Sequence, residues 1–132
     1  MAEALIGSWK YEASENIEAY MDALGLPDNL REMARSSKPN VDISKDGTTW
    51  IIKTTIGDKV NETKYPENEE IDTINIMGQP TKASLAVEGA SLVETQKFGG
   101  VEMKIKRSVE DGKYVVTMSA KGQKGKVKFT KA

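Results

Sequence analysis

The chain has 132 residues, 38% of them hydrophobic, and a formal net charge of −1 from 19 Lys and Arg against 20 Asp and Glu. That length suits a single domain, 1–132, with one core, and the balanced charge argues against electrostatic capture of nucleic acid. With no Cys and no His, the chain lacks a disulfide framework, a thiol nucleophile, the commonest general base and the commonest metal ligand.

Leu5 to Ala13 reads as a first strand, with Trp9 and Tyr11 on one face. The pattern then changes to helical spacing: Ile17, Tyr20, Met21 and Leu24 follow a plausible N-cap at Ser14 or Asn16, and Gly25 ends the run. Pro27 and Asp28 suit the start of a second helix whose apolar stripe is Leu30, Met33 and Ala34. Ser36-Ser37-Lys38-Pro39 closes it. A helical hairpin, from about Asn16 to Ser36, therefore interrupts the strands after the first.

From Asn40 onward the chain is strands and turns. Asp46-Gly47, Gly57-Asp58, Pro66-Glu67-Asn68, Gly78-Gln79-Pro80, Glu88-Gly89, Gly99-Gly100, Asp111-Gly112 and Lys121-Gly122 mark the strand ends. Strands that only go up and down must still hide their edges, and closure into a barrel does so. At about ten strands a barrel is too wide for side chains alone to fill, so a cavity is expected.

The strands alternate. Ile52 and Thr54 share a face with Trp50 and Ile56; Ile105 lies with Val101, Met103 and Val109; Val116 and Met118 lie with Tyr114 and Ala120; Val127 and Phe129 lie with Gly125. Ile52, Thr54, Ile105, Val116, Met118, Val127 and Phe129 are thus the expected cavity lining, and Lys126 and Lys128 take the outward positions.

Arg107 stands out on its apolar strand face between Ile105 and Val109. A buried guanidinium is costly unless it meets an anion, and its planar fork matches a carboxylate. Three readings stay open: it anchors a ligand carboxylate, an internal carboxylate neutralises it, or a bulge near Glu110-Asp111-Gly112 turns it to solvent. Glu94 shares a face with Leu92, Gln96 and Phe98. If that face is inward, Glu94 could pair with Arg107 and compete with a ligand; the alternation of this strand does not decide it. Glu67, Glu69, Glu70 and Asp72 cluster in a turn without the spacing of a calcium loop, and the basic C-terminal stretch reads as a solvated strand face. No metal site, cofactor or catalytic constellation is predicted.

The run Gly7-Ser-Trp-Lys-Tyr-Glu-Ala-Ser-Glu-Asn-Ile-Glu-Ala-Tyr-Met-Asp-Ala-Leu-Gly25 resembles the N-terminal signature of the intracellular lipid-binding proteins, the cytosolic fatty-acid-binding and cellular retinoid-binding proteins. Lys38-Pro39, Asp46-Gly47 and Asp111-Gly112-Lys113 also match, while Ile17 stands where Phe or Tyr is usual. The resemblance implies an all-β fold: a ten-stranded antiparallel up-and-down barrel (β-clam) with a helix-turn-helix lid between strands one and two. Ile17, Tyr20, Met21, Leu24, Leu30, Met33 and Ala34 would form that portal. It also implies non-covalent carriage of a long-chain fatty acid or similar apolar carboxylate, with a retinoid as the alternative, and no catalysis. In the family two Arg and a Tyr commonly hold the head; Arg107 matches the first Arg, but Val127 and Phe129 occupy the Arg-x-Tyr positions, so the expected clamp shrinks to Arg107. A monomer is expected, in the cytoplasm and also in the nucleus, touching membranes transiently through its lid and binding no nucleic acid. A secreted chain that had lost its signal would look the same.

Overall fold

The computed structural model describes residues 2–25, 28, 32, 38–57, 59–74 and 80–132. A short 3-10 helix, Ala2–Leu5, leads into β1 (Gly7–Glu15) and helix α1 (Ile17–Leu24). There follow β2 (Asn40–Asp46), β3 (Thr49–Ile56), β4 (Lys59–Pro66), β5 (Glu70–Ile74), β6 (Pro80–Glu88), β7 (Ser91–Phe98), β8 (Val101–Glu110), β9 (Lys113–Ala120) and β10 (Gln123–Lys131). All ten strands form one antiparallel sheet in the order β4-β3-β2-β1-β10-β9-β8-β7-β6-β5. The first strand meets the last, which curls the sheet into a barrel.

The barrel is nearly closed rather than closed, because β4 and β5, at the two ends of that order, share no ladder. The link after Pro66 crosses to β6 before β5 begins: Glu67 bridges Leu85, and the Asn68 amide donates to the Leu85 carbonyl at 2.8 Å. Toward the other end of β4, Asn61 Nδ2 donates to the Ile74 carbonyl at 3.4 Å, so one side chain spans part of the gap.

Leu5 is not part of the first strand, as its sequence suggests. It lies in the 3-10 helix, fully buried, and its carbonyl accepts the indole N–H of Trp9 at 2.9 Å. The strand instead runs on to Glu15, where Ser14 and Glu15 pair with Val127 and Lys126 past a bulge between Tyr11 and Ala13. Asn16 is the N-cap, but its side chain does not cap. It donates to the Lys124 carbonyl at 2.6 Å and ties the helix entry to β10. Gly25 ends α1 in the left-handed region at φ 70°, where a side chain would be strained.

Helix α1 seats on β10 and β9. A Cβ built on Gly125 would come within 2.9 Å of Ile17 Cδ1 and 3.2 Å of Tyr20 Cβ, so glycine lets the helix approach the strand this closely. The end of the barrel away from α1 is a packed floor: Leu5, Trp9, Ile43, Trp50, Leu85, Leu92 and Tyr114 are at most 2% exposed. Trp9, Tyr114 and Phe129 stack in succession at 5.6 and 5.1 Å between ring centroids. Trp50 donates its indole N–H to Glu67 at 2.8 Å.

Candidate functional site

Above this floor and below α1 lies a cavity of about 330 Å³, at the small end of the ~300–1,000 Å³ usual for small-molecule pockets. The seven strand residues that alternation selected, Ile52, Thr54, Ile105, Val116, Met118, Val127 and Phe129, are all on its wall. From the helix, Ile17, Tyr20 and Met21 face it. The Leu24 side chain and Leu30, Met33 and Ala34 lie outside the described residues.

Two of the described wall residues are charged, Arg107 and Glu94. Arg107 on β8 stands in register with Leu92 on β7 and Val116 on β9, which sets it just above the floor. It points inward and is 8% exposed; no bulge turns it out. Glu94 also points inward and is fully buried. The two form an ion pair: Arg107 donates to Glu94 Oε1 from Nη2 at 2.8 Å and from Nε at 3.3 Å. Arg107 Nη1 donates to the Tyr114 hydroxyl at 2.5 Å. The other carboxylate oxygen of Glu94 accepts the Tyr65 hydroxyl and the Gln96 amide. Of the readings open at Arg107, neutralisation by an internal carboxylate is therefore present in the fold.

Burial by itself would lower the Arg107 pKa, but the Tyr114 oxygen and the Glu94 carboxylate outweigh it and push the pKa up. The phenols of Tyr20 and Tyr65 are raised well above the ordinary 10.0 by burial and then by the Glu94 charge. Tyr114 is raised by burial against the opposing pull of Arg107. These phenols stay protonated at neutral pH, as hydroxyl groups rather than charges. Tyr20 reaches from the helix to the Met103 sulfur. No group of three or more Asp, Glu, His or Cys among the described residues is placed to hold a metal ion.

Sequence reasoning missed Tyr65. The strand Lys59–Pro66 is polar in sequence, and its inward residues are Asn61, Thr63 and Tyr65 while Val60 points out, 59% exposed. No apolar alternation marks its face. The direction of Glu94 is not legible in sequence, because Leu92 and Phe98 on its own face compete with Val93 on the other.

A nearly closed ten-stranded barrel that holds a mostly apolar cavity under a helix defines a lipid-binding barrel protein. Residues 3–98 match the model of the lipocalin / cytosolic fatty-acid binding protein family, and the chain belongs to that family. It is 39% identical over 116 residues to the adipocyte fatty acid-binding protein of Pygoscelis papua, covering 88% of each chain. It is equally 39% identical over 116 residues to human fatty acid-binding protein 12, covering 88% of this chain and 83% of that one. Among solved structures, the REP1-NXSQ fatty acid transporter superposes with a TM-score of 0.94 at 28% identity, over 99% of this chain and 98% of the other. No helix among the described residues is long and apolar enough to cross a membrane.

Proposed function

We propose that this protein is a non-covalent carrier of one long-chain fatty acid or similar apolar lipid, held in the barrel with its polar end beside Arg107. The observation that carries the reading is the distribution of polarity along the cavity. Both charged wall residues, Arg107 and Glu94, sit just above the floor with Tyr65 bonded to Glu94, while the rest of the described wall is uncharged and includes Ile17, Ile56, Met103 and Met118. A molecule with one polar end and a long apolar tail fits that gradient. The relatives named as fatty acid-binding proteins support it. A retinoid is the second reading, favoured by the neutral ion pair, which suits an alcohol head. The carrier works as a cytoplasmic and nuclear monomer, turns nothing over, and loads through its helical lid, which touches membranes transiently.

Native mass spectrometry of the purified protein incubated with a long-chain fatty acid, alcohol or retinoid tests this. One lipid per chain is expected for at least one class. Thr54→Trp, which fills tail space on the wall, should cut affinity by about tenfold or more, or 1.4 kcal/mol. Lipid retained with unchanged affinity by that variant would place the ligand outside the cavity.

A further inference from the structure

The charge inside the cavity is already balanced. Among the described residues the wall carries one cation, Arg107, and one anion, Glu94, bonded to each other. The Nε–Nη2 edge of the guanidinium is one of the two edges that can take a carboxylate in two parallel bonds, and both of its donors are on Glu94 Oε1. Nη1 is on Tyr114. On β10 the inward residues are Gly125, Val127 and Phe129, which bring no second cation. An ionised head would therefore enter as a second, unpaired anion in an apolar surround, where an uncompensated charge is strongly disfavoured.

The neutral groups fit a different head. Gln96 donates to Glu94 through its amide nitrogen, and its carbonyl oxygen is an acceptor for a ligand O–H or N–H. Arg107 has five N–H donors, of which three bonds use three; the remainder can meet a hydroxyl or carbonyl oxygen. We infer that the barrel takes its lipid with an uncharged polar head, a hydroxyl, a primary amide or a carboxylic acid that keeps a proton, and that Glu94 sets this preference. A fatty acid ionised in solution then enters together with one proton, which stays on the ligand carboxyl or passes to Glu94, so that the site keeps zero net charge. The groups facing Glu94 are Tyr65 from β4, Gln96 from its own strand, Arg107 from β8, Tyr114 from β9 and Tyr20 from α1. The tyrosines have raised pKa values, so none of them replaces Glu94 as the anion that Arg107 holds at neutral pH.

The inference rests on the carrier reading, and one experiment separates the two. Hexadecanoic acid, hexadecanol and hexadecanamide are titrated into the intact protein by calorimetry, in two buffers of different ionisation enthalpy and over a range of pH. The expected result is tighter binding of alcohol and amide than of acid at neutral pH. Uptake of about one proton per acid bound should make acid affinity fall about tenfold per pH unit above the acid's solution pKa. The alcohol should show neither effect. Glu94→Gln, close to isosteric, frees the Arg107 charge; it should tighten acid about tenfold relative to alcohol and abolish the proton uptake. Acid that binds the parent protein without proton uptake and more tightly than alcohol overturns the inference, and so does an acid-to-alcohol ratio left unchanged in Glu94→Gln. The parent protein's proton count decides by itself if that variant does not fold. Absence of binding by all three lipids defeats the fatty-acid carrier reading instead.

Discussion

The two ends of this barrel are built on opposite principles. At the floor, Trp9, Trp50, Leu5, Leu85 and Leu92 fill the interior almost completely, and both indole N–H groups find acceptors. Beneath α1, the same sheet encloses a cavity, and inward residues there, Thr54, Ile56, Met103 and Met118, are only partly buried. Close packing at the floor supplies stability in the way protein interiors ordinarily do. The cavity half forgoes those contacts, so its residues contribute less to folding and more to what is bound. Arg107 and Glu94 lie at the seam, where an ion pair that makes its own hydrogen bonds is satisfied on the floor side and still borders the cavity.

The sharpest way to break this contrast is to truncate one residue at each end. Trp50→Ala at the floor should cost about 3–5 kcal/mol of unfolding free energy, the scale of deleting a buried aromatic. Met118→Ala on the cavity wall should cost clearly less, because no packed surround collapses around the loss, while lipid affinity changes. Denaturant titration of both variants, with and without lipid, reads the difference; equal losses would mean that the cavity half is as tightly packed as the floor.

A smaller effect is expected where the helix meets the barrel. Gly125→Ala places a methyl against Ile17 and Tyr20, and overpacking of this kind costs about 1–3 kcal/mol. Ile17 Cδ1 can turn aside, but the Tyr20 Cβ is fixed to the helix. The displaced helix should therefore exchange its amide hydrogens faster than β8 and β9 do. Unchanged exchange in α1 would show that the close approach to Gly125 does not hold the helix down.

The smallest effect is the alkaline limit of the seam. Tyr20, Tyr65 and Tyr114 have folded pKa values raised above the ordinary 10.0. Above pH 10 the unfolded chain has lost phenol protons that the folded chain keeps, so the stability these groups provide is intact below that pH and lost as pH rises beyond it. Each phenol contributes at most about 1.4 kcal/mol per pH unit to the slope. Tyr65→Phe should flatten the decline, measured as unfolding free energy against pH; a slope identical to the parent's would remove Tyr65 from the account.

Composition, turn spacing and alternation by themselves determined a great deal here. The beat of Gly, Asp and Asn at the strand ends specified ten strands, because tight reversals need residues that tolerate positive φ; Gly47, Gly89, Asp111 and Lys121 all adopt it. Period-two alternation specified the inward faces of β3, β8, β9 and β10, and with them Arg107 among apolar neighbours. The change to helical spacing at Ile17 located α1 within a residue. Only the tertiary structure decided the face of β7 and therefore the partner of Arg107: Glu94 and Arg107 are thirteen residues apart, and a local pattern holds no information about a cross-strand pair when both faces of one strand carry apolar side chains. The same holds for Tyr65, which comes to Glu94 from a strand polar on its inward side, and for the gap between β4 and β5. Which strands pair, and which groups meet inside the barrel, depends on how the whole sheet curls. That is a balance of ladder bonds and buried area summed over the chain, visible in no single segment of it.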